Sequence, residues 1–541
     1  MKKKLNYKIP LLFAVVAAFA MFVGARFSSR SKTDGGISDP SSLFQEVMMR
    51  INSEYVDKPD DNKLTQAAIE GMLKELDPHS VFIPASELKA NTEELQGNFE
   101  GIGIEFNILN DTIFVVTPIS GGPSEKLGIR AGDKIIKIDG NTVAGVKYKE
   151  SDVFKHLRGA KGTDVTVSIY RAGNPGLLDF KITRDKIPIY SVDASYMASP
   201  GIGYIKINRF GSTTADEFNT AFEKLQKEGM TNLVLDLRDN PGGYLNIAID
   251  IASEFIPRGK LIVYTQGRAH EKEVYNSKDY SPFKGKVAVL IDEGSASASE
   301  IVTGALQDWD RALVIGRRSF GKGLVQQQYP LSDGSALRLT IARYYTPSGR
   351  CIQKSYKNGV EDYYQDFAKR YKSGELENKD SIKVIDSLKY YTNNHRAVYG
   401  GGGIVPDVFV PLDTTENSTY LIKLLNKGVF NQYVLTYTDK HRAELASKYP
   451  DFATFDKNFV TDNNFINNFV KYGEKSGVKK DDKALAISGN YIRNELKALV
   501  ARQLFQNDGF FQVVNESNNM YQKALQSIKD DSFEKTGIVS K

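Results

Sequence analysis

Cysteine is nearly absent from this chain. Cys351 stands alone, which excludes an internal disulfide and any metal site built from several thiolates. Histidine is almost as scarce. The five are His79, His156, His270, His395 and His441, and none lies in or beside the two glycine-flanked turns considered below. A Ser/His/Asp arrangement would have to be assembled through space and has little to recommend it. Charge of one sign is missing too: 71 basic and 66 acidic residues leave a net +5, with little interleaving of basic and aromatic residues. That excludes the strong field a nucleic-acid partner would need. No internal repeat stands out.

What is present suits a globular protein of several domains. The 541 residues are 41% hydrophobic and 25% charged, too long for one core and enough for two to four. Residues 1–27 carry Lys2, Lys3, Lys4 and Lys8, then an apolar run from Ile9 to Ala25, then Arg26. This reads as an export signal or an inner-membrane anchor, and it puts the rest of the chain outside the cytoplasm, on the periplasmic side of a cell envelope. Residues 28–42 are polar and read as a linker. In 43–97, Leu43, Val47, Met48, Ile51 and Tyr55, then Leu64, Ala68, Met72 and Leu76, recur at helical spacing. Residues 98–185 change to short alternating strands. From 186 onward strand and helix alternate: Gly203 to Ile207, a helix near 214–228, and Leu233 to Asp236 ending in the turn Asp239-Asn240-Pro241-Gly242-Gly243. A further apolar run, Val287 to Ile291, repeats the unit, so the expected class is α/β. Tyr356 to Arg396 is polar and reads as a surface insertion, and Gly400 to Gly403 as a hinge. In 413–541, Ile492, Leu496, Leu499, Val500 and Leu504 mark an amphipathic helix of a packing or subunit-contact segment.

The chemistry concentrates between Val289 and Gln326. The run Val287 to Ile291 meets the turn Gly294-Ser295-Ala296-Ser297, and Ile301, Val302, Ala305 and Leu306 then share a helical face. Ser297 falls where the turn opens into the helix. A second run, Ala312 to Ile315, leads to Gly321-Lys322-Gly323. A serine hydroxyl needs a base to become a nucleophile, and lysine, with a pKa of about 10.4, serves only after losing its charge. Burial can lower that value by roughly 3–5 units. Gln326 could orient the amine. The free N–H of Ala298 at the helix start could face an oxyanion. A serine at a helix start is also a common cap, and a lysine between glycines a common solvated turn.

Gly294-Ser295-Ala296-Ser297-Ala298-Ser299-Glu300-Ile301, Gly304-Ala305-Leu306-Gln307-Asp308 and Phe320-Gly321-Lys322-Gly323-x-Val325-Gln326 together resemble the carboxyl-terminal processing peptidases, also called tail-specific proteases. The resemblance covers roughly 41–412. It implies Ser297 as nucleophile, Lys322 as base, Gln326 as the residue that orients it, and a second oxyanion donor from Gly242 or Gly243. Asp292 and Asp239 stand where the family commonly has asparagine, and Arg317-Arg318 replaces a more acidic pair. Gly101-Ile102-Gly103-Ile104, followed by Leu127-Gly128-x-x-x-Gly132-Asp133, resembles a PDZ domain, whose glycine-rich loop receives a terminal carboxylate. His79, within Leu76-Asp77-Pro78-His79-Ser80, reads as structural.

The resulting expectation is an α/β (α+β) multi-domain serine endopeptidase of the cell envelope. Its peptidase core of mixed sheet and helices spans 186–412, an inserted PDZ domain spans 98–185, and helical segments flank both. The expected partners are protein or peptide substrates with accessible carboxyl termini, a regulatory partner at the PDZ domain and a second copy in a homodimer. No cofactor or metal is expected. Two other classes fit less well. A non-catalytic peptide-binding scaffold has no use for Ser297, Lys322 and Gln326 together. A phosphate-binding loop at Gly316 to Gly323 would need serine or threonine after Lys322 and a helix next, whereas Gly323 follows and Leu324 to Tyr329 reads as strand.

Overall fold

Strands buried on both faces read as apolar runs, and two such runs, Leu233 to Leu235 and Val287 to Ile291, lie side by side at the centre of the main sheet. A computed structural model describes residues 39–109, 111–278 and 282–538. They fall into two units that divide between Met72 and Leu73. Among the described residues no helix is long and apolar enough to cross a membrane, and the segment 1–27 read as a signal or anchor lies outside them.

In the first unit, helix Pro40–Glu54 starts inside 28–42, the span whose polar composition reads as a linker. The Asp39 side chain caps it and Pro40 fits the first helical turn, where no N–H is needed. The part of the linker at 28–38 lies outside the described residues.

In the second unit the main sheet has six strands. Their order is Val192–Ser199, Ile202–Ile207, Asn232–Asp236, Val287–Ile291, Leu313–Gly316 and Val408–Phe409, all parallel after the first. Alternation along Val287–Ile291 sends Val287, Val289 and Ile291 to one face and Ala288 and Leu290 to the other. Helices Thr214–Lys227, Leu245–Ser253 and Ala298–Asp308 cover the first face through Phe218, Ile251 and Val302. The second face is covered by helix Asn519–Lys529, with Met520, Tyr521, Ala524 and Ile528. The last segment of the chain is therefore a layer of the peptidase core. Between the two, helices from Thr419 to Glu516 build a separate apolar core around Phe455, Phe469 and Leu496.

A second sheet pairs Val81–Ile83, Leu324–Pro330 and Leu261–Gln266 with the long strand Ala336–Tyr345. The small β domain runs Ile104–Leu109, Thr112–Pro118, Lys134–Ile138, Asp164–Tyr170, Leu178–Thr183, with helix Glu150–Leu157 over its core. Its entry strand Asn98–Gly101 pairs antiparallel with its exit strand Asp185–Pro188, so both chain ends leave together. The expected surface insertion, Tyr356 to Arg396, is corrected in part. It buries Tyr363, Arg370 and Leu376, and Arg370 bonds Glu375 and the carbonyls of Arg318 and Ser319 beneath the lysine loop.

Candidate active site

The turn after strand Val287–Ile291 is fixed by its own polar groups. Ser295 Oγ donates to the Leu237 carbonyl and accepts from Asp292 N–H, and Ala296 N–H donates to the Asn240 carbonyl at 2.9 Å. Ser297 then takes φ +52° and ψ −112°, a conformation that non-glycine residues rarely hold and that costs roughly 1–3 kcal/mol. The surrounding bonds over-determine it. The result is a partly exposed serine at the tip of a buried turn, one residue ahead of helix Ala298–Asp308.

The residue that organises the site is Glu300, which the sequence reading quoted but gave no role. Its buried carboxylate accepts from Ser297 N–H and Lys322 N–H on Oε2, both at 2.9 Å. On Oε1 it accepts from Gly321 N–H at 2.8 Å and Ser319 Oγ at 2.5 Å. One side chain therefore holds the backbones of both candidate residues. Burial pushes its pKa up to about 7, against the pull of these four donors. The signal was legible: Ser297-x-x-Glu300 has the spacing of a capping box, in which the glutamate reaches back to the N-cap N–H.

Glycines give the lysine loop its path. Gly321 has φ +89°, and a Cβ on Gly323 would lie 2.9 Å from Gln353 N. The Lys322 amine is pushed below its ordinary value, first by burial and then by the Arg338 charge, while Glu300 and Asp77 pull the other way. No hydrogen bond joins Ser297 Oγ to Lys322 Nζ in this structure, and none joins Gln326 to the amine. Gln326 Nε2 instead donates to Thr340 Oγ1 at 3.2 Å. His79 donates to or accepts from Tyr363 Oη at 2.9 Å, and burial, with Lys322 nearby, lowers it to about 4.

The two glycines of the Pro-Gly-Gly turn separate. A Cβ on Gly242 would lie 2.7 Å from Ala298 N and Ser297 Cβ, so its backbone presses on the serine turn. Its own N–H is engaged by Asn240 Oδ1 at 2.9 Å. Gly243 N–H and Ala298 N–H have no acceptor among the described residues, which makes them the two free donors here. Asp292, the first departure at the rim, accepts from Asp239 N–H at 2.9 Å and Gly294 N–H at 3.0 Å. Burial, then the Asp239 charge, pushes it up to about 6. Arg317 pairs with Glu293 at 2.8 Å, and Arg318 with Glu375 at 2.7 Å.

In the small β domain, Gly103 takes φ +74°, the Ile102 carbonyl accepts from Ser124, and the Gly103 carbonyl accepts from Ile119 N–H. Gly101 ends the entry strand and Ile104 starts an edge strand with one side unpaired. These four residues form the loop that leads from the entry strand into the edge strand.

Residues 201–364 match peptidase family S41, and residues 101–182 match the PDZ domain family. A probable CtpA-like serine protease of Staphylococcus aureus (strain N315) is 35% identical over 452 residues, covering 82% of this chain and 88% of that protein. The chain belongs to the carboxy-terminal processing serine proteases. The carboxy-terminal processing protease CtpA of Bacillus subtilis (strain 168) is 36% identical over 405 residues, covering 72% of this chain and 86% of its own. The photosystem II D1 C-terminal processing protease is 33% identical over 60% of this chain and 92% of its own, with a TM-score of 0.34. This protease is thus a serine-type peptidase carrying a PDZ domain. Residues 420–506, within its helical extension, match a family of unknown function.

Proposed function

We propose that this protease cleaves exported proteins near their carboxyl ends with Ser297 as nucleophile and Lys322 as base. Neutral Lys322 takes the Ser297 proton, and the alkoxide attacks the peptide carbonyl. The N–H groups of Ala298 and Gly243 hold the oxyanion, with Gly242 shaping the approach. The ammonium returns its proton to the leaving amine, water enters, Lys322 takes a proton from that water as the water oxygen attacks the acyl carbonyl, and the ammonium passes the proton to Ser297 Oγ as the ester bond breaks. Gln326 orients the amine. The observation that supports this reading most is the Glu300 carboxylate, which accepts from the N–H of both Ser297 and Lys322.

Gly101, Ile102, Gly103 and Ile104 receive the substrate's terminal carboxylate, and a regulatory partner acts at the same domain. The segment 1–27 exports or anchors the protein, the catalytic part works on the periplasmic side, and two copies pair. A non-catalytic scaffold is not favoured. The test uses protein lacking residues 1–30 and an unstructured protein substrate. Cleavage should persist in chelator and be lost in Ser297→Ala and in Lys322→Ala, and continued turnover by both variants would remove the mechanism.

A further inference from the structure

Gln326 and Thr340 are opposed across the antiparallel strands Leu324–Pro330 and Ala336–Tyr345. Gln326 Nε2 lies 3.2 Å from Thr340 Oγ1, which lies 3.0 Å from Asp77 Oδ1. Asp77 is buried, and every other group around it donates: His79 N–H at 2.8 Å, Ser80 N–H at 3.0 Å and Ser80 Oγ at 2.6 Å. The turn that carries it is stitched to the same strand. Thr340 N–H donates to Ser80 Oγ at 3.1 Å, and Val81 and Phe82 pair with Arg338 and Leu337.

The protons along this chain can run in one direction only. A carboxylate accepts and cannot donate, so the single proton of the Thr340 hydroxyl points to Asp77. The hydroxyl then offers Gln326 a lone pair, and only the NH2 half of the amide can bond to it. The carbonyl half is left turned away from Thr340 with its lone pairs free. An amide's oxygen and nitrogen are so alike in shape that packing alone would not choose between the two orientations.

We propose that Asp77, acting through Thr340, is a positioning residue that holds the Gln326 carbonyl oxygen as the acceptor presented to the Lys322 amine. The inference rests on the Ser297/Lys322 reading. Lys322 lies just ahead of the strand that carries Gln326, the Asp77 carboxylate favours its charged form, and its charge in turn lowers His79. An amine tied by one N–H to a fixed oxygen has its lone pair in a fixed direction. It also has a partner waiting when it becomes an ammonium.

The experiment measures kcat and KM on an unstructured protein substrate. Thr340→Val, close in shape but without the hydroxyl, should lower kcat about tenfold or more with KM little changed. Thr340→Ser should recover most of the rate. The decisive comparison is a double-mutant cycle. In a Gln326→Ala background, Thr340→Val should cause little further loss, because Thr340 acts through the amide. Multiplying losses, or Thr340→Val turning over at full kcat, would overturn the inference. Asp77→Asn, which can turn its own NH2 toward Thr340, gives the same reading from the far end of the chain should Thr340→Val fail to fold. If Ser297→Ala and Lys322→Ala both still cleave, the dyad itself fails. If they are dead while Thr340→Val is fully active, only this inference does.

Discussion

Lys322 has two demands on it that conflict. To act as the proposed base it must be neutral, and the burial that favours the neutral amine destabilises its charged form. Its pKa is lowered from 10.5 in the folded chain, so the folded state binds fewer protons than the unfolded one between the lowered value and 10.5. Stability contributed by this site therefore rises with pH across that window, and below it the penalty is complete. Lys322→Met should abolish cleavage and raise the Tm at neutral pH, with the gain vanishing as pH approaches 10.5. Calorimetry across pH checks both. Asp292 shows the opposite sign. Its value is raised from 3.8 to about 6, so the folded state holds a proton longer and stability falls as pH rises from 3.8 to 6. Asp292→Asn keeps an oxygen for the Asp239 and Gly294 N–H groups and removes the titration. It should stabilise the protein by about 1–3 kcal/mol at pH 8 and not at all near pH 3.5, as read from denaturant unfolding at the two pH values.

At the level of elements, the serine turn is held by a loop from the neighbouring strand as well as by Glu300 of its own helix. Gly242 takes φ +97°, and any Cβ there would meet Ala296 O, Ala298 N and Ser297 Cβ, each at 2.7 Å. Gly242→Ala should fold and lose about 100-fold or more in kcat, because the displaced backbone moves the oxyanion donors. A steady-state assay beside a circular dichroism spectrum separates the two effects. This contact also marks where the sequence stopped being readable. Strand, turn and helix around Ser297, the glycine-flanked lysine and the α/β alternation were all legible, because apolar periodicity and turn residues report on their own neighbourhood. Contacts between distant segments leave no such trace. Nothing near Asp77 indicates that its carboxylate reaches Thr340, 263 residues away. Likewise the polar surface of Tyr356 to Arg396 hid Arg370, whose burial is offset by Glu375, Asp366 and the carbonyls of Arg318 and Ser319. Nothing near Met520 and Ile528 marks the sheet face they cover.

On the scale of the whole molecule, the PDZ domain touches the helical extension through exposed ion pairs, Arg502 to Glu105 at 3.1 Å and Lys134 to Asp439 at 3.9 Å. Pairs of this kind contribute little, about 0–1 kcal/mol each, and weaken with salt. Covalently the domain is joined only through the paired strands Asn98–Gly101 and Asp185–Pro188, in which Gly101 faces Asp185. Replacing residues 102–184 by a short glycine turn should therefore leave a folded core that still hydrolyses a short unstructured peptide. It should lose preference among substrates that differ only in their last residues, which competition assays with mass spectrometry would read. A module whose two ends leave through one hairpin can be exchanged without re-threading the rest of the chain. Its recognition specificity is thus free to vary among homologues while the chemistry behind it stays the same, and a signal from an occupied groove would cross that narrow neck, the salt-sensitive contacts beside it, or the pair of Arg158 with Glu93 at 2.7 Å.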